Sequence, residues 1–270
     1  MTDQYAVTGN PIAHSKSPSI HTEFAKQTGE DMAYTAVLAP LDGFDRTVDQ
    51  FISQGGKGMN VTVPFKQEAY QLASVLSERA QLAEAVNTLK FENGNIFGDN
   101  TDGAGLVRDI KENLGFNIQN KRVLLLGAGG AARGVILPIL KQLPDSLTIA
   151  NRTAAKAVEL QQQFSAYGAI TGGGYSDLAG REFDLVINAT SSSLNDALPP
   201  LPAGVFASHA LAYDMMYGKG LTPFLLFAQS EGAAQLADGL GMLVEQAAES
   251  FFIWRGVRPA TLPVIELLRK

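Results

Sequence analysis

Arg122-Val123-Leu124-Leu125-Leu126-Gly127-Ala128-Gly129-Gly130-Ala131-Ala132-Arg133 is the stretch on which the fold turns. An apolar run of strand length stops at Gly127, and helix-forming residues follow. The spacing of Gly127, Gly129 and Ala132 is G-x-G-x-x-A. Gly127 permits a tight turn, Gly129 lets a pyrophosphate approach the backbone, and Ala132 lets the new helix pack closely on its strand. Ala128, Gly130 and Ala131 complete a loop that opens a helix N-terminus, where backbone N–H groups favour phosphate. The next apolar segment, Leu147-Thr148-Ile149-Ala150, arrives at the interval of a βαβ unit and ends in Asn151-Arg152-Thr153. An acid at that place would bind an adenosine ribose hydroxyl. Arg152 stands there instead, with the planar fork of donors that suits a 2′-phosphate. Arginine is also common as a solvated charge at a helix start, but Asn151, Thr153 and Lys156 add donors and positive charge beside it. The pattern predicts a Rossmann-type domain that takes NADP rather than NAD.

Outward from that stretch, short apolar runs alternate with helical patterns along most of the 270 residues. Strands are expected near Tyr5-Thr8, Ala33-Leu38, Gly58-Val61, Asn87-Phe91, Leu185-Ala189 and Leu211-Met215 as well. Helical patterns cover 18–27, 43–54, 103–113, 131–143 and 154–164. The alternation argues for parallel α/β sheets. Asn93-Gly94 reads as a hairpin turn, and Gly172-Gly173-Gly174 as a flexible loop. Since the dinucleotide strand begins near residue 122, about a hundred residues of independent α/β pattern precede it. The expected organisation is an N-terminal α/β substrate domain over 1–102 and a parallel-sheet NADP domain over 103–238. Helices over 239–270 are expected to return to the first domain.

Composition narrows the function classes. Hydrophobic residues are 46% and charged residues 18%, the balance of a globular enzyme rather than a disordered chain. A net charge of −6 argues against bulk nucleic-acid binding. The absence of cysteine excludes a thiol nucleophile, a disulfide framework and a cysteine zinc site. The three histidines form no ligand pattern, so no metal is expected. Met1-Thr2-Asp3-Gln4 lacks the basic and apolar regions of a signal peptide, and no apolar run has membrane-spanning length. These features predict a cytoplasmic monomer or homodimer acting on small molecules, with neither nucleic acid nor membrane as partner.

Four other segments are unlike ordinary core or turn sequence. In Gly9-Asn10-Pro11-Ile12-Ala13-His14-Ser15-Lys16-Ser17-Pro18, Ser17 before Pro18 reads as a helix cap. The hydroxyls of Ser15 and Ser17 beside that N-terminus could equally hold a carboxylate. In Met59-Asn60-Val61-Thr62-Val63-Pro64-Phe65-Lys66, Asn60 and Thr62 share one strand face. Lys66 follows just beyond the strand's carboxyl end, where open α/β sheets bind ligands; a plain surface charge is the other reading. Ala85-Val86-Asn87-Thr88 and Gly98-Asp99-Asn100-Thr101-Asp102-Gly103 place amides, hydroxyls and acids where caps or ligand hydroxyls would use them.

Taken with GAGGAARG, NRT, INATSS, YDMMY and DGLGMLVEQA, these segments resemble the shikimate dehydrogenase family nearly end to end. Asn151-Arg152-Thr153 makes the likeness closer to its NADP-dependent biosynthetic members than to the NAD-using quinate/shikimate enzymes. The resemblance implies reversible NADPH-dependent reduction of 3-dehydroshikimate to shikimate. It implies that Ser15 and Ser17 bind the substrate carboxylate and that Tyr217 closes that end. Thr62, Asn87, Asp102 and Gln246 would hold ring hydroxyls, with Asn60 lining the pocket. Lys66 would be the acid–base residue, paired with Asp102. Met215 and Gly239 would lie beside the nicotinamide. Two positions depart from the family pattern: Ser193 and Glu84 stand where glycine is usual.

Overall fold

The computed structural model describes residues 2–190 and 198–270. The chain forms two compact units, Met1–Gly105 with Leu243–Lys270, and Leu106–Met242.

The second unit holds the glycine motif. Its strands are β7 (Arg122–Leu126), β8 (Ser146–Ala150), β9 (Ile170–Gly173), β10 (Phe183–Asn188), β11 (Phe206–Asp214) and β12 (Gln235–Ala237). They lie in the order β12-β11-β10-β7-β8-β9, and every pair is parallel. Counted from β7, this is the doubly wound 3-2-1-4-5-6 order, with its switch point between β7 and β10. Val123–Leu126 are all fully buried, as both-sided helix cover demands of a central parallel strand. The covering helices include α6 (Gly130–Leu140), α7 (Ala154–Phe164) and α8 (Pro223–Ser230). Leu124, Leu126, Val186, Ala212 and Phe224 form the core on one face.

The first unit carries β1 (Asp3–Gly9), β2 (Met32–Leu38), β3 (Gly56–Val61), β4 (Val75–Leu76), β5 (Thr88–Glu92) and β6 (Asn95–Asp99). Their order is β2-β1-β3-β5-β6-β4. This sheet is mixed, against the expectation of parallel strands. β5 runs antiparallel to both β3 and β6. The β5–β6 pair follows from the Asn93-Gly94 turn, where both residues have positive φ, 53° and 76°. That geometry matches the right-handed strand twist and returns the chain at once.

Helices α2 (Phe44–Ser53), α3 (Lys66–Leu72) and α4 (Glu78–Ala83) belong to this unit; Phe44, Val48, Phe65, Ala69 and Ala80 pack with Met59, Val86 and Leu89 of the sheet side. A second core joins α1 (Ser17–Thr28) to the C-terminal helices α9 (Leu240–Arg255) and α10 (Leu262–Arg269), through Ile20, Phe24, Val244, Phe251 and Val264. The chain passes between units inside α5 (Asp102–Arg108) and inside α9, not at the ends of elements.

Two local readings are corrected. Ser17 does not cap α1 but is its first residue; instead Ser15 Oγ accepts from the Ser17 N–H at 3.3 Å. Gly172 and Gly173 are not loop but edge strand. A Cβ at Gly172 would sit 2.1 Å from the Ala157 carbonyl oxygen, so glycine is what lets α7 lie against β9. Among the described residues, no helix is long and apolar enough to cross a membrane.

Candidate active site

Lys66 is the first residue of α3 and Asp102 the first of α5. Their side chains meet, Lys66 Nζ donating to Asp102 Oδ2 at 2.5 Å. Lys66 remains 30% exposed and Asp102 16%, so the ammonium can still reach a bound molecule. The other carboxylate oxygen, Asp102 Oδ1, accepts from Asn87 Nδ2 at 2.7 Å. Asn87 cannot turn over: its Oδ1 accepts from the Thr101 N–H at 2.9 Å, a group that only donates. Thr88 and Thr101 hydroxyls donate to the same oxygen at 2.9 and 3.1 Å. Gln246 Oε1 lies 3.4 Å from Asn87 Nδ2 and 3.3 Å from Thr101 Oγ1. Four of the proposed ligands, Lys66, Asn87, Asp102 and Gln246, are therefore one cluster.

Asn60 sits behind it, with its polar atoms turned inward. Its Oδ1 accepts from the Tyr34 hydroxyl at 2.6 Å. Its Nδ2 reaches Asn87 O, Thr88 Oγ1 and Ser250 Oγ at 3.2, 3.1 and 3.0 Å. Such a residue orients the pocket more than it offers contacts to a ligand. His21, stacked on Tyr34 at 4.1 Å, is fully buried, and burial draws its imidazole down to about 3. It is neutral at physiological pH.

The segment of Ser15 and Ser17 approaches that of Thr62 through two backbone features. Asn10 N donates to Val63 O at 3.1 Å. A Cβ on Gly9 would lie 2.4 Å from Thr62 Cγ2, so only glycine admits this approach. Ser17 is buried and Ser15 partly exposed.

In the second unit, Gly127 adopts φ +108°, a conformation that L side chains rarely enter. Its N–H donates to Ala150 O at 2.8 Å, tying the loop to the end of β8. At Gly129 and Gly130 nothing lies within 4 Å of where a Cβ would be. The loop thus presents open backbone at the N-terminus of α6, the arrangement a pyrophosphate needs. Ala132 is fully buried, as close helix–strand packing requires. Arg152, Thr153 and Lys156 are exposed around the start of α7. Two cations there oppose the helix dipole, an arrangement that gains from a bound anion. Met215 and Gly239 touch through backbone: a Cβ on Gly239 would lie 2.1 Å from Met215 O. Tyr217 follows β11 and is 37% exposed, its phenol raised by partial burial.

Comparisons with known proteins agree along the chain. The model of the shikimate dehydrogenase substrate binding domain matches residues 7–89. That of shikimate/quinate 5-dehydrogenase matches 108–195, and that of the shikimate 5′-dehydrogenase C-terminal domain matches 239–269. A protein of Nitrosospira multiformis named shikimate dehydrogenase (NADP(+)) is 65% identical over 269 residues, covering 100% of this chain and 98% of that one. The chain belongs to the shikimate dehydrogenase family. Among solved structures of similar fold, the Ael1 enzyme from Pseudomonas putida has a TM-score of 0.94 at 55% identity, covering 100% of this chain and 99% of its own. The Thermus thermophilus shikimate 5-dehydrogenase, solved with NADP(H) and shikimate, has a TM-score of 0.85 at 30% identity, covering 99% of both chains.

The two departures from the family pattern differ in what can be said of them. Glu84 ends α4 in the left-handed conformation, φ 51° and ψ 36°. The usual glycine of shikimate dehydrogenases would take that conformation without a Cβ penalty. Ser193 lies outside the described residues.

Residue patterns picked out the segments of Thr88, Asp99 and Thr101 but not their supporting role, and gave no role to Tyr34 or Ser250. Tyr34, Thr88, Thr101 and Ser250 hold the cluster from behind, and Asp99 is gripped by Arg79 through 2.7 and 2.8 Å bonds. In the second unit, Asn188 Nδ2 donates to Asp214 Oδ1 at 3.1 Å and Thr222 Oγ1 to Asp214 Oδ2 at 2.5 Å. Asn188 and Asp214 each end an apolar strand, and both are fully buried. A polar residue closing a strand of apolar ones was the signal available.

Proposed function

We propose that this shikimate dehydrogenase relative catalyses the reversible, NADPH-dependent reduction of 3-dehydroshikimate to shikimate, a cytoplasmic step of aromatic amino acid biosynthesis. The observation that carries this reading is the Lys66–Asp102 pair, held by Asn87 in a cluster of hydroxyl-binding groups, in a chain 65% identical to a relative named for this activity.

The open backbone at Gly129 and Gly130 and the exposed Arg152 fit a phosphorylated dinucleotide. Gly127 through Ala131 would hold the pyrophosphate, and Asn151, Arg152, Thr153 and Lys156 the 2′-phosphate. Met215 and Gly239 would bound the nicotinamide, which when bound supplies or accepts the hydride. The chain's own residues do the rest. Hydride arriving at the substrate carbonyl carbon leaves charge on its oxygen, and Lys66 Nζ provides both a positive charge and a proton to that oxygen. Asp102 fixes the position of Nζ. In the oxidative direction the neutral amine takes the hydroxyl proton back. Ser15, Ser17 and Tyr217 would hold the substrate carboxylate. Thr62, Asn87, Asp102 and Gln246 would hold the ring hydroxyls, with Asn60 shaping the wall.

The test crosses shikimate and quinate with NADP and NAD in a steady-state absorbance assay of the reduced cofactor. Turnover of shikimate with NADP in clear excess over the other three combinations is expected. Preference for quinate with NAD, or shikimate binding without any turnover, would refute the assignment.

A further inference from the structure

The turn after β9 lies beside the proposed 2′-phosphate site. β8 and β9 pair in parallel with Ala150 opposite Gly173, and Asn151 N continues the ladder to Gly173 O at 3.1 Å. Arg152 and Tyr175 are each two residues beyond that last pair, just past the ends of the two neighbouring strands. The turn also lies against the first residue of α7: a Cβ on Gly174 would be 3.7 Å from Ala154 Cβ. Tyr175 is partly buried, its ring packed on the core that contains Leu178 and Phe183. The phenol is raised by burial, and the positive charge of Arg152 opposes that shift, so the two groups feel each other. The acid of the same turn, Asp177, is engaged with backbone: its Oδ2 accepts from Gly174 N at 2.8 Å.

We propose that Tyr175 is a cofactor-specificity residue, its hydroxyl donating to the adenosine 2′-phosphate alongside the Arg152 guanidinium. The inference rests on the NADP reading above and deepens it. A phenol anchored by its ring on the sheet core presents one donor with little conformational freedom. Arg152 is an exposed cation. The tyrosine therefore adds a fixed neutral donor beside the charged fork of the arginine. The same hydroxyl has no such partner in NAD, so it discriminates between the two cofactors.

The experiment compares Tyr175→Phe and Arg152→Ala with the parent enzyme, with NADP and with NAD at saturating shikimate. Removing the hydroxyl alone should raise the KM for NADP about tenfold, the usual effect of losing a hydrogen bond to a charged group. The kcat should hold, and the KM for NAD should stay within about twofold. Phe keeps the ring and its packing, so an unchanged melting temperature accompanies this result. An NADP KM equal to that of the parent overturns the role of Tyr175. If Arg152→Ala still collapses the NADP preference, the 2′-phosphate reading stands without the tyrosine. If neither substitution moves the preference, the 2′-phosphate reading itself falls.

Discussion

The two units build their proposed sites from different materials. In the first, side chains do almost everything. Lys66, Asp102, Asn87, Thr101 and Gln246 are bonded to one another, and Asn60, Thr88 and Ser250 hold them from behind. In the second, the loop is backbone: nothing crowds Gly129 or Gly130, and the charges at Arg152 and Lys156 stand exposed. A substrate rich in hydroxyls demands donors and acceptors at set positions, which buried side chains can supply only as a network. A pyrophosphate demands peptide N–H groups and room, which glycine supplies. Substitutions in the first region should therefore spread, and those in the second should stay local.

The sharpest contrast comes from removing Lys66. Lys66→Ala should lower kcat by roughly 10²–10⁴, the usual worth of general acid–base catalysis, with a much smaller change in substrate KM. Steady-state kinetics check this; a surviving kcat with a risen KM would make Lys66 a binding residue only. Asn60→Ala tests the spread. It removes the acceptor of the buried Tyr34 hydroxyl and one bond each from Asn87 O, Thr88 Oγ1 and Ser250 Oγ, which keep other partners, and should cost roughly 1–3 kcal/mol in a denaturant titration. An unchanged unfolding midpoint would mean that the network is not cooperative.

Arg152→Ala tests locality in the second unit. NADP binding should weaken about 10–100-fold, NAD binding should barely change, and the melting temperature should hold. Equal loss with both cofactors would dissolve the contrast between charge and loop. The smallest effect is expected at Glu84→Gly. Relief of a left-handed glutamate should stabilise the protein by about 1 kcal/mol in thermal unfolding, less the extra backbone entropy of glycine. Destabilisation would show that the Glu84 side chain contributes more than its backbone strain.

The legibility of these regions followed their materials. The glycine loop was readable because a local motif with a local cause needs no distant partner. Gly127 needs positive φ, and its neighbours need empty space. The Asn93-Gly94 turn was readable for the same reason, although the antiparallel course it forces on β6 was not drawn from it. Gly172 and Gly173 misled because flexibility and close packing leave the same residue in a sequence. Only the approach of Ala157 distinguishes them. Asn60 was recognised as polar on a strand face, but its commitment to Tyr34, Thr88 and Ser250 involves residues up to 190 positions away. No spacing rule reaches that far.

By itself, then, the sequence determined the dinucleotide fold, the positive charge at Arg152 that is proposed to meet a 2′-phosphate, and the family, since each rests on residues adjacent in the chain. Tertiary structure decided which oxygen of Asp102 meets Lys66, which way the Asn87 amide is locked, and that the turn of Tyr175 follows the strand beside that of Arg152. Those are contacts between segments brought together by burial and strand register. Hydrophobic pattern specifies that such segments must pack, whereas only the packed chain specifies which atoms meet.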